Sequence, residues 1–345
     1  MKMRKLFVLP AICCALALTL GACGEEKQEN AKTEAEALRD AADKAGLILS
    51  KDATTVTGVK DKGIKSVVIP DGVTSIGDYA FRGCDKLTSV TIPDKVTSIG
   101  EGAFSRCSKL TSVTIPSSVT SIGSGAFEDC KSLTSVTIPD GVTSIGDLAF
   151  QGCTSLTSVT IPDSVTSIGG SAFKDCASLT SVTIPSSVTS IGNFAFDKCL
   201  SLTSVAIGNG VTSIGNYAFM NCASLTSVTI PSSVTSIGWS AFQNCFALTS
   251  VTIGNGVKSI GDWAFSDCWR LTRVTIPDSV TSIGHNAFWG CEALTSVTIP
   301  DSVTSIGVSA FSYCKNLTSV TIPAKFTDED VKKWEVHSSC KIIRK

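Results

Sequence analysis

The sequence has little of what most enzymes and nucleic-acid-binding proteins use. Its 345 residues include two histidines, His285 and His337, which leaves little for acid–base or metal chemistry. Only 17% of residues are charged and the net charge is −1, so no strong field attracts nucleic acid. Phosphate-binding glycine loops, His-Glu-x-x-His and Gly-x-Ser-x-Gly are absent as well. We therefore expect no enzyme, no catalytic residues, no metal, no cofactor and no nucleic-acid partner.

The N-terminus has the features of an export signal. Residues 1–22 combine a cationic start with an apolar run, Leu6–Leu20, that is short for a membrane span. The run ends in Leu-Gly-Ala-Cys, which resembles a bacterial lipobox and predicts acylation of Cys23. An ordinary secretory peptide with a chance cysteine is the alternative. Gly24, rather than Asp, follows Cys23, and by the same resemblance this favours the outer membrane over retention in the inner membrane if the cell has two membranes. The expected location is the bacterial cell envelope, with the protein lipid-anchored and exposed at the surface.

Residues 23–45 follow as a predicted tether. Residues 25–30 are polar and charged, and residues 31–45 are rich in helix formers. Leu38 is nearly the only large apolar residue of this second stretch, so the helix has little to bury. We interpret the segment as a spacer.

Residues 64–323 repeat one 23-residue pattern, which predicts a solenoid of about twelve copies. In one copy, Leu133-Thr-Ser-Val-Thr-Ile138 alternates like a strand, and Pro139 ends it. A second short extended piece runs to Ile145, and Gly146 then turns the corner. Ala149-Phe150-x-x-Cys153 predicts one helical turn on the outer side. In two copies Gly-Asn-Gly replaces the proline corner, around Asn209 and Asn255, which predicts positive φ and a different local shape.

The blocks Leu-x-x-Val-x-Ile-Pro and Ile-Gly-x-x-Ala-Phe-x-x-Cys resemble those of the BspA-like leucine-rich-repeat family of bacterial surface proteins. The resemblance covers residues 64–323. It implies an α/β leucine-rich-repeat solenoid, mostly β, forming a curved right-handed coil. It also implies surface display and frequent adhesion to host proteins or other cells, with no shared catalytic site. The slot that holds Asn or Cys in other leucine-rich repeats holds residues such as Gly141 here, so we expect no asparagine ladder.

Eleven cysteines recur every 23 residues, from Cys84 to Cys314. Stacked copies place them in one column with neighbours close enough for a disulfide, and export favours oxidation. However, parallel side chains in a column do not point at each other, and a line of ligands is a poor zinc site. We interpret them as packed, reduced thiols.

Both ends of a solenoid need covering. Residues 46–63 predict an N-terminal cap with Val56 and Val59 facing inward. Residues 324–345 predict a C-terminal cap, with a short helix from Asp328 to Trp334 and an edge strand over residues 340–343. A basic docking tail is the alternative for the last residues.

Positions that differ between copies are the candidates for ligand contact. Aromatic residues and arginines, which often anchor interfaces, accumulate there in the later copies. The predicted ligand-contact residues are Trp239, Phe246, Trp263, Trp269, Arg270, Arg273, His285 and Trp289, with Tyr313 beyond them. The alternative is that the rings only pack along the outer edge.

The strand residues Thr134, Ser135 and Thr137 and their counterparts offer hydroxyls to a glycan or protein, or form a solvated face. Arg273 and Ala206 break this pattern. We expect a surface adhesin that binds a host or neighbouring-cell protein or glycan and contacts the membrane through its lipid. The alternative is a structural coat or spacer without one ligand. The sequence does not define an oligomeric state.

Overall fold

The computed structural model describes residues 32–345, and the predicted signal peptide and Cys23 lie outside these residues. The alternating Ser-Val-Thr-Ile pattern forms one strand per copy, with the Val buried and its neighbours exposed. These longer strands are β3 (Ser66–Val68), β5 (Ser89–Thr91), β7 (Ser112–Val113), β9 (Ser135–Thr137), β11 (Ser158–Thr160), β13 (Ser181–Ile184), β15 (Ser204–Ile207), β17 (Ser227–Ile230), β19 (Ser250–Ile253), β21 (Arg273–Thr275), β23 (Ser296–Thr298) and β25 (Ser319–Ile322).

A second, two-residue strand follows the proline corner of each copy. These strands are β4 (Ser75–Ile76), β6 (Ser98–Ile99), β8 (Ser121–Ile122), β10 (Ser144–Ile145), β12 (Ser167–Ile168), β14 (Ser190–Ile191), β16 (Ser213–Ile214), β18 (Ser236–Ile237), β20 (Ser259–Ile260), β22 (Ser282–Ile283) and β24 (Ser305–Ile306). Together with two strands of the N-terminal cap they form one continuous 13-stranded sheet. The predicted repeat solenoid is confirmed.

Stacking in register places each residue on its equivalent in the next copy. Ser135, Val136 and Thr137 pair in parallel with Ser158, Val159 and Thr160. Inside, the repeat phenylalanines form a continuous stack from Phe81 to Phe311, with ring centroids 5.0–5.6 Å apart and nearly parallel planes. Such pairs contribute about 0.5–1.5 kcal/mol each beyond the burial of apolar area. The interior therefore consists of columns of identical side chains.

The eleven repeat cysteines form one of these columns, and all are free and buried. From Cys107 onward, each thiol donates a hydrogen bond to the carbonyl of the phenylalanine in the preceding copy, as from Cys107 to Phe81 at 3.1 Å. Burial raises the pKa of Cys107 to about 12. Since the thiolate is the nucleophile, these thiols are inert near neutral pH.

The segment predicted as a helical turn is a run of linked turns instead, so that expectation is wrong. In one copy Leu148, Phe150 and Gly152 donate their N–H groups to carbonyls of the next copy, at 2.8–2.9 Å. The N–H groups between them bond three residues back within the copy. An α-helix would direct all these donors along its own axis. Here half of them join neighbouring copies, which ties the solenoid together.

The Gly-Asn-Gly corners keep the shape of the proline corners. The Val211 N–H donates to Gly208 O at 3.2 Å, as Val188 does to Pro185 O at 3.1 Å. Positive φ is found at neither Asn209 nor Gly210, so the expectation of a changed conformation is wrong. Glycine is required at position 210 because there is no room for a side chain: a Cβ there would lie 1.8 Å from Ser186 O.

The N-terminal end is covered by helix α1, over residues 32–44, and a hairpin of β1 (Leu47–Leu49) and β2 (Thr55–Val59). Strand β2 pairs with β4, with Val56 fully buried and Val59 packed at the edge of the core. Helix α1 is not a free spacer: Ala42 is buried and Leu38 packs on the core beside Gly72. The expectation for this part of the tether is therefore wrong, because two side chains suffice to dock the helix.

The C-terminal end carries helix α2 (Asp328–Lys333) and strand β26 (Lys341–Arg344). A capping box between Thr327 and Asp330 starts the helix, and Trp334 after it is buried against Phe326. Strand β26 extends the sheet of β23 and β25. Apolar and backbone groups of the last copy are thus covered at this end.

Candidate functional site: the aromatic turn face

The exposed side chains between each corner glycine and the second residue after the repeat cysteine form what we call the turn face; residues 146–155 supply it in one copy. In each of the eleven copies, two residues here have φ between 52° and 74°. One is the second residue after the corner glycine, such as Leu148, and the other precedes the cysteine, such as Gly152. The bonds to the next copy impose this left-handed backbone at the same two positions throughout.

Large side chains occupy the first of these left-handed positions in five copies. They are Tyr79, Leu148, Phe194, Tyr217 and Trp263. Left-handed backbone costs a residue with a Cβ about 1–2 kcal/mol, and Gly or Asn carries it most easily. Gly102 and Gly125 show that the repeat accepts glycine here. Packing therefore does not require these five side chains, and strain of this kind is typical of functional positions.

The structure brings the aromatic residues into three groups. In the first, Phe194 stacks on Tyr217 at 4.5 Å and Tyr217 contacts Trp239 at 6.3 Å between ring centroids. In the second, Trp289 lies between Trp263 and Tyr313, at 6.2 and 4.9 Å. The third is the closest pair, Phe246 on Trp269 at 4.2 Å. Trp239 and Trp269 are each 48% exposed and Tyr313 62%, whereas Phe246, Trp263 and Trp289 are half-buried.

Phe194 and Tyr217 belong to the site but were missed from the sequence, because they precede the stretch where tryptophans accumulate. The side of Phe194 is held by Lys174, whose Nζ lies 4.9 Å from the ring centroid and 3.3 Å from the buried Asp197 carboxylate. Asn221 donates to the same carboxylate at 3.0 Å. This polar network holds Lys174 against the Phe194 ring and so positions the first aromatic group.

The three predicted polar contact residues do not lie together. Arg270 is exposed beside Trp269 in the chain. Arg273 begins strand β21 and lies on a different surface. The Nδ1 of His285 accepts a hydrogen bond from the Val308 N–H at 3.0 Å, so its ring supports the backbone of the next copy.

His285 is one member of a ladder that replaces the asparagine ladder of other leucine-rich repeats. In six of the eleven copies the residue after the corner glycine accepts the N–H of its equivalent in the next copy, with distances of 2.6–2.8 Å for the oxygen acceptors. The oxygen acceptors are Asp78, Asp147, Asn193, Asn216 and Asp262. The prediction that variable residues at this position are free to contact a ligand is wrong in these copies, because their side chains are used in the ladder. The signal was present as repeated short acceptor side chains.

The exposed Ser and Thr that flank the buried Val of each longer strand, such as Ser135 and Thr137, form what we call the strand face. Next to it, the Thr after the repeat Leu donates its hydroxyl to the carbonyl of the preceding copy at ten of eleven junctions, as from Thr157 to Thr134 at 3.1 Å. These hydroxyls stabilise the stack and are already used.

Residues 32–345 contain no group of three or more His, Cys, Asp or Glu side chains placed to hold a metal ion. Over the same residues, no helix has the length and apolar character needed to cross a bilayer. The features that stand out are the aromatic groups on the turn face.

Residues 59–342 match, in three overlapping stretches, the family described as BspA type Leucine rich repeat region, with six copies at 59–176, 143–271 and 237–342. The chain belongs to this family. Its fold is similar to a leucine-rich cell surface protein of Faecalibacterium prausnitzii, which is 35% identical with 85% of this chain and 96% of that chain covered (TM-score 0.53). A Bacteroides ovatus leucine-rich repeat protein is 28% identical over 87% and 90% of the two chains (TM-score 0.54). No curated protein sequence matches the chain.

The pneumococcal vaccine antigen PcpA is 18% identical, with 87% of this chain and 82% of that chain covered (TM-score 0.52). At this identity the likeness concerns the fold alone. The BspA-type family and its structural neighbours are repeat proteins, which is consistent with a protein-binding repeat.

Proposed function

We propose that this BspA-type repeat protein is a lipid-anchored surface adhesin that binds a protein or glycan of a host or neighbouring cell through the aromatic turn face, and that it has no catalytic role. The observation that carries the proposal is the set of eight aromatic rings in three groups on this face. Four of them, Phe194, Tyr217, Trp263 and Tyr313, sit at left-handed backbone positions, where any residue with a Cβ costs stability.

The residue types and their packing support binding. Tryptophan and tyrosine are enriched among residues that dominate interface energies. Trp269 is held in place by Phe246 and by a hydrogen bond from its Nε1 to Asp267 at 3.2 Å, yet it is 48% exposed. A ring that is already ordered loses little conformational entropy when it contacts a ligand. Exposed apolar surface of this kind typically marks a contact site.

The anchor part of the proposal rests on the sequence. Cys23 ends a lipobox-like motif, and the similar F. prausnitzii protein is a cell surface protein. Acyl chains stabilise membrane attachment by about 0.8 kcal/mol per buried methylene, so several chains hold a protein at a bilayer. The proposed location is the outer membrane of the bacterial envelope, with the solenoid facing outward.

A coat or spacer is the second candidate, and the Thr ladder beside the strand face favours it. Its hydroxyls bond within the stack at nearly every junction, as from Thr203 to Thr180 at 3.0 Å, and so do not select a partner. A uniform, solvated surface of this type separates or shields cells without one ligand.

The test measures saturable binding of the purified protein to host cells and immobilised matrix proteins. One variant carries Trp239→Ala, Trp263→Ala and Trp289→Ala, which reduces the first two groups. We expect saturable binding by the parent and a loss of at least about tenfold in affinity for the variant. Unchanged binding by the variant would show that the turn face is not the binding surface. If the parent shows no saturable binding, the coat or spacer is favoured.

Surface display has its own test. Protease added to intact cells should degrade the protein, and Cys23→Ala should release it from the membrane fraction. Resistance to protease until the outer membrane is opened would place the protein in the periplasm and contradict the adhesin.

A further inference from the structure

The strand face carries a charged side chain at one copy. At the first strand position eleven copies have Ser and the remaining copy has Arg273. The side chain is exposed, and it forms no ion pair with any residue in 32–345. It is therefore an available cation on a face made mostly of hydroxyls, which Val68 and Ala206 also interrupt.

The strand sheet opens at the same copy. Strand β21, which Arg273 begins, is the edge of one sheet, and β23 belongs to the next. Between residues 272 and 295 the stack lacks both the backbone bond and the Thr hydroxyl bond that join equivalent residues at the ten other junctions of the described chain. The second sheet continues through β20, β22 and β24, so the opening is confined to the strand face.

The break between β21 and β23 differs from the other interruption of the strand sheet. The strand sheet is also interrupted between β11 and β13. There, Thr180 keeps its backbone bond to Thr157 O at 3.2 Å and its hydroxyl bond at 3.3 Å, and the strand position remains Ser181. The lost bonds and the arginine occur together only between β21 and β23.

The opening is a shallow groove of about 270 Å³. Its polar lining consists of Arg273, Thr275, Asp278, Ser296, Thr298 and Lys345. Lys345 is 3.3 Å from Asp301, outside this lining, so its charge is partly balanced, while Arg273 and Asp278 have no ion-pair partner among the described residues. The groove thus combines one available guanidinium, one carboxylate and three hydroxyls.

We propose that this groove binds an anionic glycan. A guanidinium binds a carboxylate or sulfate through two parallel hydrogen bonds. Asp278 accepts hydrogen bonds from sugar hydroxyls, which a site for a simple anion would not need, and Ser296 and Thr298 can both donate and accept. The groove presents no exposed aromatic ring that would anchor a protein. The site lies on the strand face and is independent of the proposed turn-face function.

The test is calorimetric titration of the purified full chain at low salt with tetragalacturonate, its methyl ester and a sulfated galactan oligosaccharide. We expect binding of at least one acidic probe, no binding of the ester, and weakening with added salt. Arg273→Ser, which restores the residue of the other copies, should lower affinity at least about tenfold. Arg270→Ser, three residues away and outside the groove, is the matched control and should change affinity less than about twofold.

The two acidic probes distinguish carboxylate from sulfate as the recognised group. Failure of both to bind the parent, equal binding of the ester, or unchanged affinity in Arg273→Ser overturns the proposal. Trp269→Ala should leave this binding intact, so loss of turn-face adhesion and loss of the glycan site are distinguishable.

Discussion

The interior columns and the turn face come from neighbouring residues of the same repeat, yet stacking constrains them differently. In the interior every copy places the same Phe and Cys at no more than 1% exposure, and each ring meets an identical ring. On the turn face stacking fixes the backbone but not the side chain. Gly125, Leu148, Ser171 and Phe194 occupy one left-handed position in four successive copies.

Residues that are identical in every copy mostly belong to the core. Residues that vary between copies are of more than one kind. Next to six of the eleven corner glycines, residues such as Asp147 and Asn216 differ in type but support the next copy through the same hydrogen bond. The aromatic residues have no such structural task. They are the part of the variation that a ligand explains best.

The largest expected effect concerns the cysteine column and pH. Burial raises the pKa of these thiols, to about 12 for Cys107 and Cys314. The folded pKa of each thiol lies above its unfolded pKa, so burying the protonated thiol favours the folded state. This contribution to stability is complete below the ordinary thiol pKa near 9 and is lost as the pH rises above it. Above that pH, each buried thiol lowers the free energy of unfolding by about 1.4 kcal/mol per pH unit. Eleven such thiols acting together should therefore unfold the solenoid near pH 10.

Circular dichroism and thiolate absorbance followed together from pH 7 to 11 check this. We expect the sheet signal and most of the thiolate absorbance to change in one transition, since the eleven buried thiols ionise only when the chain opens, whereas Cys340 is partly exposed. Thiolate absorbance that rises near pH 9 while the β-sheet signal stays intact would contradict the buried column.

The second prediction compares two phenylalanines of one copy. Phe196→Ala leaves a cavity in the interior stack and should destabilise the protein by about 3–5 kcal/mol. Phe194→Ala removes a half-buried ring from the turn face and should cost less than about 1 kcal/mol. Urea unfolding of both variants measures the contrast, and equal losses would mean that the turn face is part of the core.

A smaller effect tests the left-handed backbone. Leu148→Gly should stabilise the protein by about 0.5–1 kcal/mol, because glycine carries a φ of 60° without strain. Leu200 is an exposed leucine outside the left-handed positions, so Leu200→Gly should be neutral or destabilising. Thermal unfolding of the two variants measures this difference. If Leu148→Gly is destabilised as much as Leu200→Gly, the left-handed backbone at position 148 is not strained.

Much of the fold follows from the sequence, because a 23-residue period puts Phe150, Cys153 and their equivalents into columns whatever the local backbone. The left-handed positions did not follow, since residues such as Tyr79, Leu148 and Trp263 are not types that signal positive φ. That conformation is imposed by bonds between copies. The candidate site was predicted in part: the tryptophans were named, but their division into three groups depends on which rings meet across copies.

Arg273 illustrates the same limit. Its sequence position predicted a place among the ligand-contact residues, and its neighbours in the chain suggested the aromatic stretch. The strand alternation in the sequence already places it on the strand face, whereas no local pattern indicates the opening beside it.

The central claim is that exposed aromatic rings on the turn face bind a ligand, and one matched pair tests it most directly. Trp269 and Leu200 both follow a repeat cysteine and are both 48% exposed. Binding of the purified parent, Trp269→Ala and Leu200→Ala to host cells should show a loss of at least about tenfold for Trp269→Ala and little change for Leu200→Ala. Equal affinities for the two variants would contradict the account.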